Sequence, residues 1–293
     1  MQFKNEDSVY NMNGKEKKVP VPNIADFIRQ AHKKRALERW VKDTVYGLLG
    51  LVLLLLFWQG LGTVLFNRSG FQQFRDFMPL PAFKALGQLV VAPQFWDSVI
   101  ASLRRVLVGL SFAFIFGFAW GVVRGFSKPI SDITNLPMQF IRMVSPLSWM
   151  PIAIFLLPSF EHAIYFLILM AAIWPIMSNT TQGIRSVDAT WIDMARIHGA
   201  NKKQLIYRVM LPSAFPYILN GLRLALGIAW IILVPAEYLG INNGLGYLIN
   251  DARDTLEYDR LMALVIAIGI LGFLLDSIFR YLGKQFDWRQ KKE

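Results

Sequence analysis

From Thr44 to Phe66 the chain runs for 23 residues, TVYGLLGLVLLLLFWQGLGTVLF, without one charged side chain. At about 1.5 Å of rise per residue, a helix of this length covers the ~30 Å hydrocarbon core of a bilayer. It is too long and too far from the start to be the h-region of a cleaved signal peptide, and no small-residue cleavage site follows it, so it reads as a retained first span. Similar apolar blocks recur at roughly Val106 to Val123, Ile133 to Pro158, His162 to Gln182, Ser213 to Gly240 and Leu261 to Leu282. Only 17% of the residues are charged, against about a quarter in soluble domains, which leaves too little polar surface for a water-facing fold. The expectation is an all-α membrane protein with six transmembrane helices.

Six spans put both termini on one side, and the positive-inside rule decides which. Lys and Arg number 21 in residues 1–43, 124–132, 183–212 and 283–293, against 7 in 67–105 and 241–260. Both termini are therefore expected in the cytoplasm. The net charge of +11 is thereby a topology signal and a contact with anionic lipid, and nucleic acid is not an expected partner. Three parts follow: a cytoplasmic tail with an amphipathic interfacial helix over 1–43, a transmembrane domain over 44–283, and a cytoplasmic tail over 284–293. Residues 1–22 read as loosely ordered. Ile24, Phe27, Ile28 and Ala31, then Leu37, Trp40, Val41 and Thr44, follow helical spacing, as in a helix lying at the membrane surface. Between the two stripes, at 31–36, a basic juxtamembrane stop signal is an equal reading.

The absence of cysteine excludes disulfides, thiolate metal sites and cysteine nucleophiles. His32, His162 and His198 stand apart, and no metal-ligand spacing is found. No G-x-S-x-G and no paired intramembrane carboxylates point to an enzyme. No GxxxxGK[ST] phosphate loop occurs either, so energy from a nucleotide has to come from another subunit.

The longest expected cytoplasmic loop, 183–212, carries its own helical signals. Asp188 is placed as an N-cap, Trp191, Met194, Ala195 and His198 share one face, and Gly199 suits a left-handed cap. A second helix is expected from about Lys202 to Leu211-Pro212. An exposed apolar face of this kind either docks on a partner or lies flat on the membrane.

Five ionisable residues, Arg142, Arg223, Glu237, Asp276 and Arg280, fall within the expected spans at positions that need a reason. Asp276 and Arg280 are four apart on one helix and suit an i, i+4 pair. Arg223 and Glu237 are too far apart along one helix to neutralise each other. Arg142 and Arg223 lie at similar expected depth, where guanidiniums either meet a desolvated anion or pair with Glu237 or with C=O groups freed by Pro146 and Pro151. Ser145, Pro146, Trp149 and Pro151 interrupt the third span, and broken helices at membrane depth either line a cavity or form a packed kink. Trp174 and Trp230 are candidates for the same path, with core packing as the alternative. The candidate pathway set is Arg142, Ser145, Trp149, Arg223, Trp230 and Glu237. Gly240, Gly244 and Gly246 read as turn residues.

The run D-M-A-x-x-x-G-x9-V-x-L-P, from Asp193, Met194 and Ala195 through Gly199 to Pro212, resembles the EAA loop of ABC importer permeases, E-A-A-x3-G-x9-I-x-L-P. Asp193 stands for Glu and Met194 for Ala. LPMQFIRMVSPLSWMPIAIF (136–155), LPSAFPYILNGLRLALGIAW (211–230) and AEYLGINNGLGYLI (236–249) are similar to the nitrate, bicarbonate, sulfonate and taurine permeases. The resemblance extends from about Pro79 to Trp288. It implies a type I importer fold in a bacterial plasma (inner) membrane and a non-catalytic permease, paired with a second copy as a homodimer. Two cytoplasmic ATPases would bind ATP and Mg, this chain holding no cofactor, and an extracytoplasmic solute-binding protein would deliver a small anion. Asp193, Met194, Ala195, His198, Gly199 and Pro212 would couple the ATPases to the spans. The competing readings are a channel or secondary transporter working alone, and an intramembrane enzyme.

Overall fold

The computed structural model describes residues 8–10, 16–18, 24–67 and 70–286. The chain divides into two units, Met1–Asn67 and Arg68–Glu293.

In the first unit, β1 (Ser8–Tyr10) and β2 (Glu16–Lys18) pair antiparallel, with Val9 opposite Lys17. Of residues 1–22, expected to be loosely ordered, these six are the described ones. Helix α1 then runs unbroken over Ile24–Phe66. The expected boundary at residues 43 and 44 therefore lies inside one helix, because neither proline nor a capping signal interrupts it there. The expected interfacial stripe rests on side chains of 24–40, which lie outside the described set. In the span itself, Leu51, Leu53, Leu54, Leu56 and Phe57 are all exposed, as an apolar helix facing lipid requires.

The second unit is built on α3 (Pro93–Phe126), α6 (Phe160–Arg185) and α9 (Leu211–Tyr238), packed side by side. Between lipid-facing helices the hydrophobic effect supplies little association, so close backbone approach and dispersion take over. Gly117 and Gly121 on α3 provide it: a Cβ on Gly117 would sit 2.9 Å from the Ile173 carbonyl, and one on Gly121 would sit 2.7 Å from Thr180 Cβ. Ile164, Leu167, Ile168 and Ile176 of α6 and Leu233 of α9 are fully buried at this seam. Helix α6 contains Pro175, whose carbonyl accepts from Asn179 Nδ2 at 2.8 Å, while Asn179 Oδ1 accepts from Asn220 Nδ2 of α9 at 3.1 Å.

Helix α2 (Pro79–Val91) packs against α11 (Tyr258–Phe286), and α10 (Leu245–Asp254) bridges α9 and α11. Among the described residues, five helices are long and apolar enough to cross a membrane. The sixth crossing exists only if α4 (Lys128–Met143) and the segment Pro146–Leu156, which ends in α5 (Met150–Leu156), count as one span; they meet at 85°. The third span, expected over 133–158 with an interruption at Ser145, Pro146, Trp149 and Pro151, is thus two arms that begin at Lys128. Val144 and Ser145 are extended, ψ 126° and 129°. Pro146 disfavours helical backbone in the residue before it and donates no N–H to continue the ladder.

Helix α3 begins 13 residues before the expected start at Val106. The stretch 67–105 counted outside the spans therefore ends inside this helix: Arg104 and Arg105 both belong to it, and Arg105 is only 4% exposed.

Candidate functional site

The loop between α6 and α9 folds as short helices. Asp188 accepts from the Thr190 N–H at 2.9 Å and caps α7 (Ala189–Ile197). The hydrogen bond from the Thr190 main chain, then that from its side chain, hold the Asp188 carboxyl below the usual aspartate range. The charged cap therefore persists at neutral pH and is lost only as the pH falls through that lowered value. At the other end His198 Nδ1 bonds the Met194 carbonyl at 2.8 Å, and Gly199 takes φ +78°. Asn201 and Gln204 then form a reciprocal capping box that starts α8 (Lys202–Leu205), and a π-turn over Ile206–Met210 runs directly into α9.

On this scaffold Trp191, Met194 and Ile197 are 61%, 53% and 83% exposed. Asp193 is equally open and makes only a 3.4 Å pair with Arg196, Ala195 is half-buried, and Pro212 lies with Asp188 and Trp191 on a cleft of about 400 Å³. Five of the six expected coupling residues thus lie on α7 and the turn that ends it, and Pro212, in the first turn of α9, lines the same cleft as Asp188 and Trp191. Arg185 Nη2 donates to the Arg124 carbonyl at 2.9 Å, tying the end of α6 to α3 immediately before this segment.

The pathway candidates do not share one chamber. Arg142 and Ser145 are exposed on either side of the 85° bend, Trp149 is half-buried against the core, and Arg142 lines a cavity that includes Trp174. Arg223 does not reach Glu237: its Nε and Nη2 grip Asp276 at 2.6 and 3.0 Å, and Arg280 takes the same carboxylate at 2.6 Å. Two cations therefore share one anion. Asp276→Asn is expected to lower the melting temperature of the purified complex more than Arg223→Lys, which keeps a cation beside Asp276 and leaves the Arg280 bond intact. The reverse order would sink this account of the triad.

Trp230 packs inside the helix bundle against Gly272, where an added Cβ would sit 2.7 Å from the indole nitrogen. Glu237 is 0% exposed, a correction to its place on a water-facing path. Its carboxylate accepts from Ser102 Oγ at 2.8 Å, Arg105 Nη1 at 2.7 Å and the Gly246 N–H at 3.0 Å. Ser102 also accepts from the Leu245 N–H at 2.9 Å, and Arg105 bonds both the carbonyl and the side chain of Asn243. The carboxylate thus sits at the start of α10, where free N–H groups favour an anion. Gly244, at φ +108°, makes the turn, and a Cβ there would strike Arg105 and Glu237 at 2.6 Å. Ser102 and Arg105 were missed by the reading of the sequence; the one available signal was a polar pair within helical reach of an apolar block.

Residues 109–288 match the family described as binding-protein-dependent transport system inner membrane component. The bicarbonate transport system permease protein CmpB of Synechococcus elongatus is 31% identical over 87% of this chain and 94% of its own. The nitrate import permease protein NrtB of a Synechocystis species is 37% identical over 63% of this chain and 67% of its own. Among solved structures, the MetNI methionine ABC transporter in inward-facing conformations superimposes with a TM-score of 0.57 at 16% identity, covering 67% of this chain and 98% of that one.

Proposed function

The chain belongs to the binding-protein-dependent transport system inner membrane components, the permeases of ABC importers, and from that premise we propose that its cargo is a small oxyanion of the bicarbonate or nitrate class. Support for an anion comes from Arg142, a guanidinium on a cavity at the bent helix with no carboxylate among its lining residues. Such a group binds planar oxyanions through paired hydrogen bonds. The names of the similar bicarbonate and nitrate permeases point the same way.

In this reading two copies of the chain form the pore in a bacterial inner membrane, both termini face the cytoplasm, and an extracytoplasmic protein delivers the anion. ATP and Mg bind to separate ATPase subunits and not to this chain. The exposed Trp191, Met194 and Ile197 face of α7 docks on an ATPase, and nucleotide-driven closure is passed through Gly199 and the π-turn to α9 as a rigid-body rotation. Arg142, Ser145 and Trp149 flank the path, and Glu237 holds the extracytoplasmic end together.

The test is uptake by proteoliposomes holding the chain with the ATPase and binding proteins encoded beside it. ATP-dependent accumulation of labelled bicarbonate or nitrate is the expected result. Uptake of an uncharged or cationic solute in place of any oxyanion would overturn the cargo assignment, and uptake without an ATPase would favour a transporter working alone.

A further inference from the structure

Arg124, near the end of α3, is 8% exposed, and among the described residues no acid pairs with it or with Arg142. Among the described residues, Nη1 of Arg124 reaches only the Met177 sulfur at 3.7 Å, Nη2 only the Ser131 carbonyl at 3.4 Å, and its buried Nε has no partner. A second guanidinium, that of Arg185, bonds the Arg124 carbonyl. A guanidinium stays protonated whatever its surroundings, so this one is a buried cation in want of an anion.

The same residue lines a cavity of about 250 Å³ whose other polar walls are hydrogen-bond donors: Asn135, Gln139 and Arg142 of α4, and Trp174 and Ser178 of α6. Asn135, Gln139 and Arg142 fall at i, i+4 and i+7, on one face of α4. The opposite face, Ile133, Leu136, Phe140 and Met143, is apolar and exposed. Helix α4 therefore carries a polar stripe turned to the cavity side. No carboxylate lines this space. Trp174 to Ser178 lie roughly 10 to 16 Å along α6 from its end at Arg185, which sets the cavity in the half of the bundle that carries α7.

We propose that Arg124 and Arg142, with Asn135, Gln139 and Ser178, form an oxyanion-binding site in the cytoplasmic half of the permease, the last station before the transported anion is released. This rests on the reading of the chain as an anion importer. The two guanidiniums supply the charge, and the amides and hydroxyl select for oxygen acceptors over a spherical halide. Among the described residues Arg124 is held by weak bonds only, so its guanidinium exchanges a poor set of contacts for good ones when the anion arrives.

The experiment uses the purified permease–ATPase complex in nanodiscs, titrated with sodium nitrate or sodium bicarbonate in a buffer whose only other anion is gluconate, at fixed ionic strength. Melting temperature is the readout. The native complex is expected to gain stability with nitrate or bicarbonate. Arg124→Gln removes an unpaired buried charge, so its melting temperature in gluconate should match or exceed the native one, while its apparent affinity for the oxyanion falls about tenfold or more. Gln139→Ala should leave the gluconate value unchanged and weaken the oxyanion severalfold. A lower melting temperature for Arg124→Gln in gluconate, with the oxyanion response intact in Gln139→Ala, would assign Arg124 to packing and overturn the site. If Arg124→Gln fails to assemble, Gln139→Ala and Ser178→Ala decide, and native affinity in both overturns it. Where uptake of the anion persists but the variants bind it as the native complex does, this site alone fails; where the native complex neither imports nor binds an oxyanion, the cargo reading fails with it.

Discussion

Glu237→Ala is expected to remove most of the folded transporter from the membrane. The carboxylate is fully buried, and three donors from α3 and α10 converge on it within 3.0 Å. Deleting it leaves Arg105, 4% exposed, with Asn243 and a 4.0 Å approach to Glu161 as its remaining partners. Breaking one side of a buried pair costs about 3–5 kcal/mol, a large share of a total stability that is typically about 5–15 kcal/mol. The yield of monodisperse complex and its melting temperature should both collapse. Glu237→Gln keeps the shape and one acceptor oxygen, so it should fall between. The double variant Arg105→Met, Glu237→Met should recover much of the loss, because neither charge is then left alone. A melting temperature for Glu237→Ala within a degree or two of the native one would show that this cluster does not hold the helices together.

That cluster also marks where the sequence stops being legible. Arg105 and Glu237 are 132 positions apart, and a charge at the end of an apolar run looks the same whether it faces headgroups or pairs inside the bundle. The apolar pattern accordingly starts this helix at Val106, just past Arg105, and misses its first 13 residues. The Arg223 partner was hidden for the same reason: Asp276 satisfies Arg280 at local i, i+4 spacing, and nothing in the chain announces that it has a second carboxylate oxygen to give to another helix. The bend after α4 was legible in Ser145, Pro146 and Pro151, but the angle was not, since a proline fixes a break and tertiary packing fixes its direction. Features set by adjacent residues were read well. The apolar blocks located five membrane-length helices, and Asp188 and Gly199 bounded α7 to within a residue, because a side-chain cap and a left-handed turn are made by their own neighbours.

Gly199 provides the second large effect. Its φ of +78° lies in the left-handed region, while a Cβ there would meet nothing within 4 Å. Space is open and only the backbone objects, so a substitution disturbs the turn without touching the packed helices. A β-branched residue is the least tolerant of this conformation, and asparagine among the most tolerant of side chains. Gly199→Val should therefore shift the exit from α7, and with it the angle at which Trp191, Met194 and Ile197 meet a partner. ATP-dependent uptake in proteoliposomes is expected to fall more than tenfold while the melting temperature of the complex changes little, the strain being on the order of 1–3 kcal/mol at an exposed turn. Gly199→Asn should retain most of the uptake, which separates a conformational requirement from any need for the absence of a side chain. Equal loss in both variants would mean that the surface at this position is itself pressed against the ATPase. Undiminished uptake in Gly199→Val would remove the turn from the route by which ATP hydrolysis moves the spans.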